Sequence, residues 1–218
     1  MLQIYGHPFS SYTWKALIPL YENGTPFEFC MIDGDHPENI GVLQANSPQG
    51  KFPLLLDNGR AVFESTSIIE YLQEYHPGAV RLIPQDFDRA LDVRTMDRFF
   101  DNYVMGAAQA IVNDFLRDPE HRDPLAVEQA TAMLLRAYQW LDSRMQGKVF
   151  ACGDSFTLAD CAAAPSLFYA DWLCEIAPQW ANLRNYRSRL LSRPSVTRCV
   201  DDARPYRAFF PAGAPDRD

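Results

Sequence analysis

Three short stretches carry side chains whose types and spacing suit chemistry. The first is Gly6-His7-Pro8-Phe9-Ser10-Ser11-Tyr12-Thr13-Trp14-Lys15. Two hydroxyls stand between a Gly/Pro turn and the start of a helical pattern. Free N–H groups at a helix start favour an anion, and hydroxyl donors beside them add to that. Taken alone, this loop is better explained as a helix cap, because Ser and Thr are favoured there.

The second stretch is Gly50-Lys51-Phe52-Pro53-Leu54. Pro is tolerated at the first residue of a strand, where a missing N–H does least harm. A cis Phe52-Pro53 bond would face the Phe52 backbone outward, free to pair with an extended ligand. Cis forms make up only about 5–6% of X–Pro bonds, so the sequence by itself favours trans. The third is Phe63-Glu64-Ser65-Thr66-Ser67-Ile68-Ile69-Glu70. Ser65 at a strand-to-helix junction offers hydroxyl and N–H to a ligand carboxylate. Glu64 suits a ligand ammonium. Ser67-x-x-Glu70 also fits a plain capping box. Together the three stretches supply a donor for a thiolate or oxyanion, an exposed strand-edge backbone and a carboxylate-plus-ammonium clamp. That set fits a short peptide-like zwitterion.

The rest of the composition narrows the classes. Lys plus Arg is 20 against 28 Asp plus Glu, a net charge of −8 in 218 residues. An acidic chain without a basic stripe argues against nucleic acid as a partner. No apolar run approaches the roughly 18 residues of a membrane span. Met1–Tyr5 lacks a cationic region followed by an apolar one, so no signal peptide is expected. The five cysteines (Cys30, Cys152, Cys161, Cys174 and Cys199) are odd in number and widely spaced. They suggest no disulfide framework and a reducing cytoplasm. No C-x-x-C occurs, and the four histidines show no metal-ligand spacing, so no metal is expected.

The elements that must position these stretches fall into two rhythms. Leu2–Tyr5 reads as a strand stopped by Gly6 and Pro8, and Thr13–Glu22 as a helix containing Pro19. Phe27–Ile32 and Pro53–Leu56 read as strands, with an irregular stretch between them. Asp57-Asn58-Gly59 is a hairpin turn into Ala61–Phe63, and Ser65–His76 is a helix ended by Pro77-Gly78. The order is β-α-β-(irregular)-β-β-α. Beyond it, apolar residues recur at steps of three and four from Val93 to Ile111 and from Val127 to Met145, as in two long amphipathic helices. Thr157-Leu158-Ala159-Asp160 opens a very apolar helix through Leu173 with a capping-box-like start. Two shorter helices follow near 182–191 and 195–203, and the Pro- and Gly-rich tail reads as loose. The fold class is an α/β N-terminal domain followed by an all-α helical domain. The expected boundaries are residues 1–77, a linker at 78–87, and residues 88–218.

In this order the motifs resemble the cytosolic glutathione transferase superfamily over nearly the whole chain. The resemblance rests on β-α-β then β-β-α, Pro53, Glu64-Ser65, the linker and Gly153-Asp154-Ser155-Phe156-Thr157-Leu158-Ala159-Asp160. Gly6-His7-Pro8-x-Ser10 is similar to the phi-class loop. Ser10-Ser11-x-x-Trp14-Lys15 is similar to the zeta-class Ser-Ser-Cys-x-Trp-Arg motif, with Tyr12 for Cys and Lys15 for Arg.

The resemblance implies a thioredoxin-like first domain and glutathione as co-substrate. It implies a glutathione S-transferase activity that presents the thiol as a thiolate to a small apolar electrophile. Related isomerase, peroxidase or dehalogenase activities belong to the same family. Ser10 is then the catalytic residue, with Ser11 and Tyr5 as alternatives. Lys51, Phe52, Pro53, Glu64 and Ser65 would bind glutathione, with His36 and Asn39 as candidates for its glycyl end. Phe99, Asn102, Tyr103 and Gly106 would line the electrophile pocket, with Phe209 and Phe210 as a candidate lid. A cytoplasmic homodimer in detoxification is the implied setting. The reading from another class is a glutathione-binding module or regulator that keeps this fold without turnover.

Overall fold

The structure is a computed structural model and describes all residues, 1–218. The first part contains β1 (Leu2–Gly6), α1 (Ser11–Glu22), β2 (Glu28–Met31), α2 (Pro37–Asn46), β3 (Leu54–Asp57), β4 (Arg60–Phe63) and α3 (Ser65–Tyr75). The four strands form one sheet in the order β2-β1-β3-β4. β1 pairs parallel with β2 and antiparallel with β3, which pairs antiparallel with β4.

Strand alternation sorts the side chains between two cores. Ile4 lies opposite Leu55, and both enter the large core. Tyr5 lies opposite Leu54, and both enter a small cluster with Cys30 and Leu43 on the other face. Leu43 is the one buried residue of α2. With so narrow an apolar contact, α2 has no periodic stripe, and the sequence showed an irregular stretch where the structure has a helix. Pro37 at its first turn suits a helix start, since the missing N–H has no partner there in any case.

The second part is helical: α4 (Phe87–Phe99), α5 (Gly106–Phe115), α6 (Pro124–Met145), α7 (Leu158–Leu173), α8 (Ala181–Leu191) and α9 (Pro194–Ala203). The single helix expected across 93–111 is interrupted by a π-helical turn at Phe100–Met105. A wider turn re-phases the side chains that follow it, and such turns recur at functional sites. The α7 start follows the expected pattern. The Asp160 carboxylate accepts from Thr157 N–H at 2.8 Å and from the Thr157 hydroxyl at 2.9 Å. It also accepts from Ala151 N–H at 2.9 Å and the Tyr186 hydroxyl at 2.6 Å.

The two parts share one core. Trp14 of α1 is fully buried against Phe168 and Tyr169 of α7, with ring centroids 4.9 and 5.3 Å apart. The connection between α3 and α4 is docked rather than free. Leu82 and Ile83 are buried, and Leu82 C=O accepts from Leu158 N–H at 3.0 Å. The tail also departs from expectation. Phe210 is buried against Phe9, Tyr169 and Trp172, and Arg204 and Arg207 both pair with Asp218. Composition suggested a loose end; aromatic packing and ion pairs hold it.

Candidate functional site

The loop after β1 is fixed from several sides. Trp14 Nε1–H donates to Pro8 C=O at 2.5 Å, Tyr169 O–H donates to Phe9 C=O at 3.0 Å, and Ser10 N–H donates to His7 C=O at 3.0 Å. His7 Nδ1 accepts from Phe9 N–H at 3.1 Å, so this histidine shapes the loop. Burial pushes its pKa down, which keeps Nδ1 free to accept. Gly6 is required by close approach: a Cβ there would lie 2.7 Å from the Thr13 side chain. So held, Ser10 becomes the N-cap of α1, its Oγ accepting from Thr13 N–H at 3.3 Å. Capping does not remove the hydroxyl from chemistry. The bond uses a lone pair, and the O–H proton remains available to donate.

Tyr5 sits elsewhere. It is buried in the small cluster beside Cys30, and burial raises its pKa to about 12.

The loop before β3 is tied by Ser47. Its Oγ accepts from Lys51 N–H at 3.1 Å and donates to Lys51 C=O at 2.9 Å. Phe52-Pro53 is cis, which corrects the expectation of trans. Base rates decide a lone dipeptide; here the fold around Pro53 decides. Neither the N–H nor the C=O of Phe52 takes part in the backbone hydrogen bonding of the chain.

At the β4–α3 junction, Glu64 has φ 67° and ψ 117°. This is left-handed backbone that a side chain normally avoids, at a cost of roughly 1–3 kcal/mol, and such residues cluster at ligand clamps. Glu64 makes no capping bond of its own, so its carboxylate is uncommitted. Ser65 begins α3 and is buried. The helix therefore starts before Ser67, which corrects the Ser67-x-x-Glu70 capping box; Glu70 instead pairs with Arg94 at 2.8 Å. Thr66 anchors the junction from below. Its hydroxyl accepts from Lys15 Nζ at 2.9 Å and donates to Asp97 Oδ2 at 2.9 Å.

These pieces meet in one cleft of about 320 Å³, lined by Lys51, Phe52, Pro53, Glu64 and Ser65 together with Tyr12, Ser47, Gln49, Arg98, Asp101 and Asn102. All five residues expected to bind glutathione are there. Ser10 and Ser11 are not among the lining residues; Tyr12, on the first turn of α1, is. Of the four residues expected at the electrophile pocket, Asn102 lines the cleft. Phe99 packs at a tilt against Trp140 with ring centroids 4.4 Å apart, Tyr103 is largely exposed beside it, and Gly106 begins α5. From this region Arg98, Asp101 and Asn102 line the cleft. His36 pairs with Asp33 at 2.6 Å, and Asn39 donates to Met31 C=O at 2.9 Å. Phe209 is exposed, whereas Phe210 is core, so the two cannot form the expected lid together.

Sequence reasoning missed Tyr12, Arg98 and Asp101. Lys15 carried the available signal: a lysine inside the apolar pattern of α1 needs buried anions, and it finds Asp97 and Asp101, each at 2.6 Å. A larger cavity, about 600 Å³, lies between α1, β2 and α9 and contains none of the expected site residues. No group of three or more His, Cys, Asp or Glu side chains is arranged to hold a metal ion, and no helix is long and apolar enough to cross a membrane.

Residues 4–79 match the family model described as "Glutathione S-transferase, N-terminal domain", and residues 124–189 match "Glutathione S-transferase, C-terminal domain". A probable glutathione S-transferase of Nicotiana tabacum is 31% identical over 162 residues, covering 74% of this chain and 68% of the relative. A second from the same plant is 27% identical over 219 residues, covering 97% and 93%. Among solved structures, a glutathione S-transferase of Methylobacillus flagellatus with GSH bound superposes with a TM-score of 0.82. It is 24% identical, over 91% of this chain and 98% of that one, a likeness of fold.

Proposed function

The chain belongs to the glutathione S-transferase family, and from that premise we propose that it binds glutathione in the cleft and presents its sulfur as a thiolate to a small apolar electrophile. One observation carries this: Lys51, Phe52, Pro53, Glu64 and Ser65 line a single cleft. In this reading Glu64 holds the γ-glutamyl ammonium, and Ser65 holds the neighbouring carboxylate with its hydroxyl and the first N–H groups of α3. The unpaired Phe52 backbone bonds the cysteinyl unit, and Lys51 meets the peptide's carboxylate end.

Ser10 donates to the sulfur. A free thiol has a pKa of roughly 8.5, so only a few per cent is ionised at neutral pH. A hydrogen bond to a charged group contributes about 1.5–3 kcal/mol, or about 1–2 pKa units. The α1 N-terminus adds roughly 0.3–1 kcal/mol. Together these suffice to make the thiolate a major species near neutrality. Serine acts as a donor and stays un-ionised; the thiol proton leaves to solvent.

We read residues 1–77 as the glutathione-binding domain, 78–87 as linker and 88–218 as the domain that completes the electrophile pocket, with Asn102 at the shared wall. A cytoplasmic homodimer acting in detoxification is part of the same proposal. Exposed Phe63 and Tyr75 on the first domain, and Phe87 and Leu91 on α4, are the apolar surface such a dimer would cover.

The test is the ultraviolet absorbance of bound thiolate across pH, on wild type and Ser10→Ala. The wild-type thiol should titrate well below its free value, and Ser10→Ala should move it back up. An unchanged titration in Ser10→Ala would remove Ser10 from its role. Glutathione binding without turnover on a broad electrophile panel would favour the non-catalytic module.

A further inference from the structure

Tyr12 stands in the zeta-like motif where that motif has Cys, and the first-loop chemistry assigned to Ser10 and Ser11 leaves it no role. The structure gives it one. Its side chain lines the cleft with Phe52, Pro53, Glu64 and Ser65, while neither serine does. The Ser10 hydroxyl already serves the backbone as a cap. The Tyr12 hydroxyl has no partner within the chain and is not one of the sealed, unpaired polar atoms of the interior. It is a donor left open on the wall of a binding cleft.

We propose that Tyr12 is a second hydroxyl donor to the reacting centre, giving its phenol O–H to the sulfur anion of bound glutathione alongside Ser10. This rests on the glutathione reading above. The bond that breaks is glutathione S–H, its proton leaving to solvent. The Tyr12 O–H bond stays intact and donates.

The surroundings keep the phenol in the donating form. Its pKa is pushed up to about 12, first by burial and then by the carboxylates of Asp101, Glu64 and Asp97. The charge of the two aspartates is compensated beneath the cleft, and that of Glu64 is left for the ligand ammonium. Lys15 Nζ meets Asp97 and Asp101, and Arg98 lies 3.2 Å from Asp97. A sulfur anion beside Tyr12 therefore faces a neutral donor and a largely neutralised floor. The Tyr12 position on the first turn of α1 also places it beside the free N–H groups that favour an anion.

The discriminating variant is Tyr12→Phe. It removes the hydroxyl and no bond of the fold, so its thermal unfolding midpoint should equal that of wild type. Glutathione affinity, measured by calorimetry at a pH low enough to protonate the thiol in every variant, should change less than about threefold, because the lost bond is to the anion. The bound thiol's pKa should rise by about one unit, a roughly tenfold smaller thiolate-to-thiol ratio at a given pH. Tyr12→Phe combined with Ser10→Ala should raise it further than either change alone. A Tyr12→Phe titration identical to wild type, with Ser10→Ala alone shifting it, overturns the proposal and leaves the glutathione reading standing. No glutathione binding by wild type overturns both.

Discussion

Lys15 Nζ lies 2.6 Å from Asp97 Oδ1, and both side chains are almost completely buried. Lys15 belongs to α1 and Asp97 to α4, so a charge pair in the interior ties the first domain to the second. Asp101 and Thr66 complete the hub, and Thr66 is the neighbour of Ser65. The cleft is thus built on an ionic anchor whose members were scattered over some ninety residues of sequence.

Removing one member should be costly. Lys15→Met leaves two carboxylates without their buried partner, and breaking a buried pair costs about 3–5 kcal/mol. Denaturant unfolding should show that loss. Lys15→Met combined with Asp97→Leu should lose less than the two single losses added together, because the pair is removed as a unit. Additive losses would mean that the two residues act independently.

Asp160 should behave as a folding residue. It accepts bonds from Ala151 N–H, Thr157 N–H and Oγ–H, and Tyr186 O–H, and burial pushes its carboxyl pKa upward against those bonds. Asp160→Ala orphans buried donors, each at about 1–3 kcal/mol. A loss of about 3 kcal/mol or more is expected in urea unfolding. A loss below about 1 kcal/mol would show that the donors find other partners.

The tail gives a paired test. Phe210 packs among Phe9, Tyr169 and Trp172, so Phe210→Ala should cost about 3–5 kcal/mol of stability. Phe209 is exposed, and Phe209→Ala should stay within about 0.5 kcal/mol. A raised KM for an apolar electrophile with an unchanged unfolding midpoint in Phe210→Ala would restore it as a lid residue.

Acid should weaken the hairpin end of the sheet through Asp57. His76 Nε2–H donates to Asp57 Oδ2 at 2.7 Å and Tyr71 O–H donates at 2.9 Å. The bond from His76, with that from Tyr71, holds the carboxyl below its ordinary range. A carboxyl lowered by folding contributes in full above its unfolded value of about 3.9. That contribution fades as pH falls through the lower folded value. The stability difference between wild type and Asp57→Asn should therefore shrink from about pH 5 downward. A difference that does not change with acid would contradict the pairing.

Much of the fold was legible because its signals are local. Strand alternation, the Asp57-Asn58-Gly59 turn and the Thr157/Asp160 start each depend on a few neighbouring residues. Two segments that line the cleft were legible for the same reason, since Phe52-Pro53 and Glu64-Ser65 are dipeptides at element boundaries. What failed depended on distance. The α2 helix buries only Leu43, with its neighbour Val42 packed beside it, so it left no period to read. The π-helical turn breaks the helix expected across 93–111, and Arg98 and Asp101 of that region line the cleft without having been singled out. Tyr12 read as a substitution within a motif, because which side of α1 meets the cleft depends on α3 and α4. The buried Phe210 belongs to an aromatic cluster assembled from residues 9, 169 and 172.

The central claim is that the cleft holds glutathione through the β4–α3 junction. Calorimetric titration of glutathione into wild type and Ser65→Ala tests it most directly. Ser65 is proposed to bond a carboxylate, so its loss should weaken binding by about 10- to 100-fold, the equivalent of about 1.5–3 kcal/mol. Wild type should bind and Ser65→Ala should bind by that much less. No heat of binding in wild type, or equal affinity in the two proteins, would contradict the account.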